Sequence, residues 1–124
     1  MKYKFIERKN PQNREAPGKL YAAPVLSGKV SQKEISADIV ALSSLTRGDV
    51  SNVIENLFDI IPKYLVKGNS ISLGDLGSFR ISFSSKGVDT AEEFNVSKIS
   101  GARVVFTPSP SLRKAIAGIK YEKA

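Results

Sequence analysis

The feature that most constrains the fold of this chain is a wide apolar stripe between residues 50 and 65. Its members recur at helical spacing: Val50, Val53, Ile54, Leu57, Phe58, Ile61, Tyr64 and Leu65. This spacing predicts an amphipathic helix whose apolar face is too wide for one short partner helix to cover. A second copy of the chain, related by a two-fold axis, would supply the missing surface. We therefore expect core and dimer-interface positions, with no cofactor role, for Val53, Leu57, Phe58 and Ile61, and an interface position for Phe79 of a later strand.

Two helix starts with the same signature flank the beginning of this stripe. Ser31 is followed three positions later by Glu34, and Thr46 by Asp49. A hydroxyl at the N-cap and a carboxylate at N3 form a reciprocal capping box, which satisfies backbone N–H groups that the helix leaves free. The pattern predicts a first helix over roughly residues 32–43 and a second helix that begins after Thr46.

After Gly68 the apolar period changes from 3.6 residues to 2, which indicates β-strands. Gly74 and Gly77 bracket a four-residue connection between two alternating runs, so we expect a hairpin turn with positive φ at these glycines. The apolar positions of the predicted strands are Ile71, Leu73, Phe79, Ile81, Phe83, Ala102, Val104 and Phe106.

The segment between these strands has no strong core pattern. Residues 85–93 are expected to form a projecting loop or arm, and alternation resumes at Phe94 and Val96. After the last strand, Ser109 followed by proline predicts the start of a final helix. Residues 120–124 are expected to fray.

Two further strands are predicted at the N-terminus, over residues 1–9 and 20–26, with turn-forming residues between them. Pro24 makes the second an edge strand or an irregular one, because proline cannot donate to a ladder. Four cations of this segment either extend a basic surface or protect an edge strand from aggregation: Lys2, Lys4, Arg8 and Lys9.

Composition narrows the function classes. The chain has 124 residues, 41% hydrophobic and 25% charged, with no histidine and no cysteine. These values fit one soluble domain. The missing residue types remove the commonest general base and metal ligand and exclude disulfides. We therefore expect no enzyme activity, no cofactor, no metal and no small-molecule substrate.

The net charge of +7 is unevenly distributed. Residues 1–30 carry seven basic and two acidic side chains, residues 31–69 four and five, and residues 70–124 eight and five. Positive charge at both ends suggests a polyanion such as nucleic acid as the partner, although lysines that only keep the protein soluble would give the same pattern. With neither a signal peptide nor a membrane span in evidence, we expect a cytoplasmic protein with no membrane partner.

Three motifs resemble those of the HU/IHF family of bacterial histone-like DNA-binding proteins. Residues 68–79, GNSISLGDLGSF, resemble its helix-ending glycine, short strand and glycine-flanked turn. Residues 106–113, FTPSPSLR, resemble its strand-to-helix junction, and residues 45–50, LTRGDV, resemble the segment between its first two helices. The match covers about residues 31–117 in the family's order.

A divergent, HU-related subgroup adds a segment before the helices. Its opening is similar to KNPQN at residues 9–13, and its arm return is similar to TAEE at residues 90–93. We therefore interpret residues 1–30 as an integral extension and not as a separate domain.

The resemblance implies an α+β, IHF-like DNA-binding fold with a helical base, an antiparallel β-sheet with a protruding arm, and an intertwined homodimer. The whole chain, residues 1–124, is then one HU-like domain. Its parts are an N-terminal strand extension (1–30), a two-helix base (31–67), a β-sheet and arm (68–106), and a C-terminal helix and tail (107–124).

The same resemblance implies binding to double-stranded DNA, with an architectural, nucleoid-organising role. HU and IHF are standard examples of minor-groove proteins whose arms kink DNA with an apolar wedge. This chain lacks the family's Arg-Asn-Pro arm tip, for which Val88 or Phe94 are possible substitutes. The expected contacts are mainly non-sequence-specific ones to the DNA backbone, from Arg80, Lys86, Lys98, Arg103, Arg113 and Lys114.

Each of these cations could equally be a solvated surface residue. The arm also carries three carboxylates, at Asp89, Glu92 and Glu93. The alternative hypothesis is therefore a dimeric scaffold or protein-interaction module that kept the HU fold but lost DNA bending.

Overall fold

The structure is a computed structural model that describes all 124 residues. It is a mixed α+β fold with three helices and two three-stranded sheets. In chain order the elements are β1 (Lys2–Arg8), β2 (Lys19–Val25), α1 (Gln32–Leu42), α2 (Arg47–Val66), β3 (Ile71–Ser72), β4 (Gly77–Ser85), β5 (Ile99–Pro108), α3 (Pro110–Ile116) and β6 (Glu122–Lys123).

Both predicted capping boxes are confirmed. The N–H of Glu34 donates to Ser31 Oγ at 3.2 Å, and the N–H of Asp49 donates to Thr46 Oγ1 at 3.2 Å. In the second box, the Thr46 N–H and hydroxyl both donate to Asp49 Oδ2, at 3.1 and 2.9 Å. These bonds lower the pKa of Asp49 below its ordinary value. The two helices pack against each other, and α2 continues through Pro62 to the C-cap at Lys67.

The second sheet has the order β3-β4-β5 and is antiparallel throughout. The turn between β3 and β4 has the positive φ angles expected of its glycines, 57° at Gly74 and 147° at Gly77. The turn also anchors the start of α3, because Ser109 donates its N–H to the Leu76 carbonyl at 3.2 Å and its hydroxyl to the Asp75 carbonyl. Ser109 Oγ in turn accepts the N–H of Leu112 at 3.0 Å, so Ser109 is the predicted N-cap.

The first sheet has the order β2-β1-β6, and β2 is an edge strand, as Pro24 predicted. The expectation that residues 120–124 fray is wrong. The N–H of Glu122 donates to the Met1 carbonyl at 3.1 Å, and that of Ala124 donates to the Tyr3 carbonyl at 2.9 Å. The tail therefore pairs in parallel with β1, whose backbone groups on that side would otherwise be free, and two paired residues are too few to show an alternating pattern.

The predicted alternation at Phe94 and Val96 is also wrong. The chain here forms two short 3₁₀ helices, Ala91–Glu93 and Val96–Lys98. Thr90 and Asn95 precede them, and the Asn95 side chain accepts the Ser97 N–H at 3.1 Å. This local turn bonding competes with the strand that two spaced apolar residues suggested.

The core of the single chain is very small. Five of the 124 residues are buried, and the only buried large apolar side chains are Val50 and Leu65 of α2. A compact monomer of 13.5 kDa is expected to expose about 6,500 Å², whereas this chain exposes 10552 Å². None of the helices combines the length and apolarity that crossing a membrane requires.

Candidate nucleic-acid interface

The hairpin of β4 and β5 has one apolar face and one polar face. Residues directly opposite each other in an antiparallel pair share a face. On the apolar face Phe79 is opposite Phe106, with ring centroids 5.0 Å apart, and the pair Ile81 and Val104 follows. On the polar face Arg80 is opposite Val105 and Ser82 is opposite Arg103. Arg80 and Arg103, both predicted DNA-contacting residues, are therefore diagonal neighbours on one face.

A β-bulge in β5 extends this polar face toward the end of the hairpin. Ser82 is opposite Arg103, but Ser84 is opposite Ser100, so β5 contributes one extra residue. Gly101 lies in the extra stretch with a φ of 68°, the left-handed conformation in which a bulge favours glycine. The bulge shifts the alternation of β5 by one, and Ser100 therefore shares a face with Arg103.

Beyond the bulge, the remaining two predicted hairpin cations meet. The Lys86 N–H donates to the Lys98 carbonyl at 2.9 Å, which continues the pairing of Ser84 with Ser100 and of Ser85 with Ile99. Lys86 follows β4 and Lys98 ends the second 3₁₀ helix, so this bond brings their backbones together at the end of the strand pair that carries the arginines. We call this set, Arg80, Lys86, Lys98 and Arg103, the hairpin basic face.

The guanidinium of Arg103 lies along this face. Its Nη1 donates to the Gly101 carbonyl at 3.2 Å and to Ser84 Oγ at 3.4 Å. Arg103, Arg80 and Lys86 are exposed, and Lys98 is half-buried. Since a guanidinium has five N–H donors, Arg103 keeps donors free for an anion while its position is fixed by the bulge.

Arg113 and Lys114 are not part of the hairpin basic face. They lie on α3, which begins next to the base of the hairpin, where Gly77 is opposite Pro108. Lys86 and Lys98 lie at its other end. The six predicted cations thus form two groups, one along the hairpin and one at its base.

The loop that closes the hairpin contains acidic residues and no proline. Its carboxylates, Asp89, Glu92 and Glu93, are exposed, and the last two lie in the first 3₁₀ helix. No group of three or more carboxylates is arranged to hold a metal ion. The positive charge is therefore on the strands, and the negative charge is in the loop beyond them.

Gly101 is a positioning residue that the sequence analysis missed. An isolated glycine inside an alternating strand signals a bulge or a close backbone approach. Without the bulge, strict alternation would place Ser100 and Arg103 on opposite faces of β5. That signal was available in the sequence and would have predicted the shared face.

Comparison with known proteins identifies relatives of this architecture. Residues 1–123 match the profile of the HU-HIG family, described as an HU domain fused to a wHTH, Ig or glycine-rich motif. The resemblance found in the sequence is thus confirmed over almost the whole chain. No curated protein matches the chain significantly.

Eleven chains of solved structures match as well. One is the crystal structure of a candidate bacterial DNA-binding protein from Bacteroides vulgatus, with a TM-score of 0.62 and 18% identity. The alignment covers 98% of this chain and 47% of that one, so this chain spans about half of the length of its structural relative. At this identity the likeness shows the fold.

Proposed function

The chain belongs to the HU-HIG family of HU domains fused to other motifs, and on this basis we propose that it binds double-stranded DNA as a homodimer. The observation that carries the proposal is the hairpin basic face: Arg80 and Arg103 share one side of a strand pair whose other side is apolar, and Lys86 and Lys98 meet at the end of that pair. A sheet of this kind can turn its apolar side to protein and its cationic side to phosphate. The contacts are to the DNA backbone and are therefore largely independent of sequence.

The exposed surface of the single chain supports a dimer. The chain exposes about 4,000 Å² more than a compact protein of its size would. Obligate dimer interfaces bury on the order of 2,000–5,000 Å² summed over both partners, or about 1,000–2,500 Å² per chain. A second copy that covers this part of the excess would give a chain with a very small core of its own buried surface that it lacks alone.

Exposed apolar side chains of α2 and of the hairpin are the ones that we assign to the partner. On α2, Val53 is 56% exposed and Phe58 is 58% exposed; on the apolar face of the hairpin, Phe83 is 53% exposed. Val53 and Phe58 belong to the stripe from which the dimer was first predicted. We propose that α2 and the hairpin pack against the same elements of a two-fold partner, as in an intertwined dimer with two projecting arms.

The absence of an arm proline bears on how the DNA is shaped. The loop beyond Lys86 and Lys98 is closed by 3₁₀ helices and carries Asp89, Glu92 and Glu93. A proline wedge is not available, and these carboxylates would oppose deep entry between phosphates. We propose binding with an architectural, nucleoid-organising effect that does not depend on intercalation of proline.

The salt dependence of duplex binding tests the proposal. We expect dissociation constants of about 10⁻⁴–10⁻⁶ M at physiological salt, with log K falling linearly with log salt. Each lost phosphate contact should reduce the slope by about 0.9. The variant Arg80→Gln/Arg103→Gln, titrated with a labelled duplex by fluorescence anisotropy, should therefore show a slope reduced by about 1.8 for each protomer that contacts DNA.

The matched control is Lys63→Gln/Lys67→Gln, which removes the same charge from the C-terminal end of α2. If this control reduces the slope as much as the arginine variant does, the effect comes from net charge and the hairpin basic face is not the site. If the wild-type protein does not bind duplex at 50 mM salt, the DNA proposal itself is wrong.

The acidic loop favours one alternative, a dimeric scaffold or protein-interaction module. On that hypothesis Asp89, Glu92 and Glu93 form a surface for a basic protein partner, and the dimer persists without DNA binding. The same titration separates the two, because a scaffold would give a dimer in sedimentation and no salt-dependent duplex binding.

A further inference from the structure

The first sheet has a second cationic face. Pairing in β1 and β2 sets Lys2 opposite Val25, Lys4 opposite Ala23, Ile6 opposite Tyr21 and Arg8 opposite Lys19. These pairs share one face, because directly opposed residues point the same way and alternate residues return to it. The other face carries Tyr3, Phe5, Leu20, Ala22 and Pro24, together with Glu7. We call the set Lys2, Lys4, Arg8 and Lys19 the N-terminal basic face.

Protection of an edge strand does not explain Lys2, which is paired on both sides, with Val25 of β2 and Glu122 of β6. Lys4 and Arg8 lie in the part of β1 that β6 does not cover, and Lys19 lies on the edge strand β2, so edge protection would also account for these three. The case for an anion site therefore rests on the like-charge pair and the concavity at the Arg8 end of the face. Lys2 and Lys4 are opposite the uncharged side chains of Val25 and Ala23, so β2 supplies no carboxylate that would neutralise them.

One pair on this face is unfavourable in the free protein. Arg8 and Lys19 are directly opposite each other, and like charges in such a pair are destabilising. The Arg8 guanidinium lies 5.9 Å from the ring centroid of Tyr21, which holds it over the sheet. An anion bound between the two cations would remove the repulsion.

A concavity opens at this end of the face, with a volume of about 510 Å³. It is lined by Arg8, Lys9, Lys19 and Tyr21 and by four residues of the loop between β1 and β2. No carboxylate lines it. Glu7 lies on the opposite face, and the only carboxylate in register with the basic face is Glu122, opposite Lys2 at the far end.

We propose that the N-terminal basic face is a second binding surface for the phosphate backbone of duplex DNA, additional to the hairpin basic face. This inference rests on the proposed function, since it assumes that duplex is the polyanion. Arg8 is six residues along the strand from Lys2, a span of about 20 Å. Duplex DNA carries one charge per about 1.7 Å of its axis, so phosphates are available along the whole face.

The chemistry of the face favours a nucleic-acid backbone over a membrane surface. Phe5 and Leu20 lie on the opposite face. Ile6, Tyr21 and Val25 lie between the cations, and Ile6 and Val25 are half-buried, so the face has no broad exposed apolar surface that could enter a bilayer. The face presents the ammonium groups of its lysines and the guanidinium of Arg8, which lies near the Tyr21 ring. These groups suit phosphate and read no base sequence.

The charge reversal Lys19→Glu tests the inference with two readouts of opposite sign. It should stabilise the protein, raising the urea midpoint, because it replaces a like-charge pair opposite Arg8 by an attractive one. It should weaken duplex binding and reduce the salt slope by about 0.9 or more. Lys33→Glu on α1 makes the same charge change at a residue of neither basic face and is the matched control for duplex binding. It does not control for stability, because a carboxylate in the first turn of a helix is itself stabilising.

The outcomes distinguish this inference from the proposed function. If the wild type binds duplex, Arg80→Gln/Arg103→Gln weakens it and Lys19→Glu behaves like Lys33→Glu, the N-terminal face is not a DNA site and the hairpin proposal stands. If the wild type does not bind duplex at 50 mM salt, both fail. Binding of phosphatidylserine vesicles that Lys19→Glu abolishes, with duplex binding unchanged, would overturn the inference in favour of a membrane site.

A second variant, Lys4→Gln, keeps the test decisive if Lys19→Glu does not fold. Lys4 is exposed and opposite Ala23, so removing its charge leaves the strand pairing intact. It should reduce the salt slope by about 0.9. An unchanged slope in a folded Lys4→Gln protein would contradict the inference.

Discussion

Truncation of Phe58 should greatly weaken the dimer. Phe58 lies in the apolar stripe of α2 and is 58% exposed in the single chain. A phenylalanine buries on the order of 200 Å², so about 115 Å² of it remains for a partner to cover. At about 25 cal/mol per Å² this area contributes close to 3 kcal/mol, and two-fold symmetry counts it twice. Alanine still buries part of this area, so Phe58→Ala should destabilise the dimer by about 5 kcal/mol.

That energy corresponds to a more than 10³-fold rise in the dimer dissociation constant. Sedimentation equilibrium over a concentration series measures it, with circular dichroism at each concentration to follow loss of helix. Folding and association are expected to be lost together, because the single chain buries only Val50 and Leu65 as large apolar residues.

Phe94→Ala provides the control, since it removes the same side chain from the loop beyond the hairpin. It should leave the dimer dissociation constant unchanged. Equal effects of the two substitutions would refute the assignment of the α2 stripe to the interface. A wild-type protein that sediments as a folded monomer near 13.5 kDa would refute the dimer itself.

Two further predictions concern the stability of the fold. Gly77→Ala should lower the free energy of unfolding in urea by about 3 kcal/mol or more, because φ is 147° and a Cβ would overlap the Thr107 carbonyl oxygen of β5. Gly74→Ala should lower it by only about 1 kcal/mol, because φ is 57° and a Cβ there would meet no other atom. Equal losses would contradict the predicted clash between residue 77 and β5. The pKa of Asp49 is lowered by its bonds from Thr46, so its stabilising effect is present at neutral pH and is lost as the pH falls below about 4. In Asp49→Asn the urea midpoint should therefore decrease less steeply below that pH than in the wild type. If the midpoint decreases equally in both proteins, Asp49 does not cause the loss of stability in acid.

The parts of the fold that sequence predicted are those decided by neighbouring residues. A capping box needs only residues three apart, and both were predicted correctly, at Ser31 and at Thr46. The glycine turn between β3 and β4 and the Ser109 cap of α3 are equally local. The change of apolar period after Gly68 likewise predicted a helix before it and strands after it, and both are present.

The features that sequence did not predict depend on register or on distant partners. The parallel pairing of β6 with β1 joins residues about 120 positions apart through two paired residues, which leave no periodic signal. The bulge at Gly101 changes which side chains share a face, although the glycine itself was visible. It puts Ser100 on the face of Arg103, from which strict alternation would have separated it.

The strand register also determines on which face of each sheet the cations lie. It places Arg80 and Arg103 on the face opposite to that of Phe79, and Lys4 and Arg8 on the face opposite to that of Phe5. In the free chain both kinds of face are unfavourable, because the cations repel one another and the apolar groups contact water. A protein partner relieves only the apolar faces, and a polyanion relieves only the cationic ones. Since both proposed partners bind the folded chain, each would stabilise the arrangement that the other requires, and dimerisation and DNA binding are expected to be thermodynamically linked.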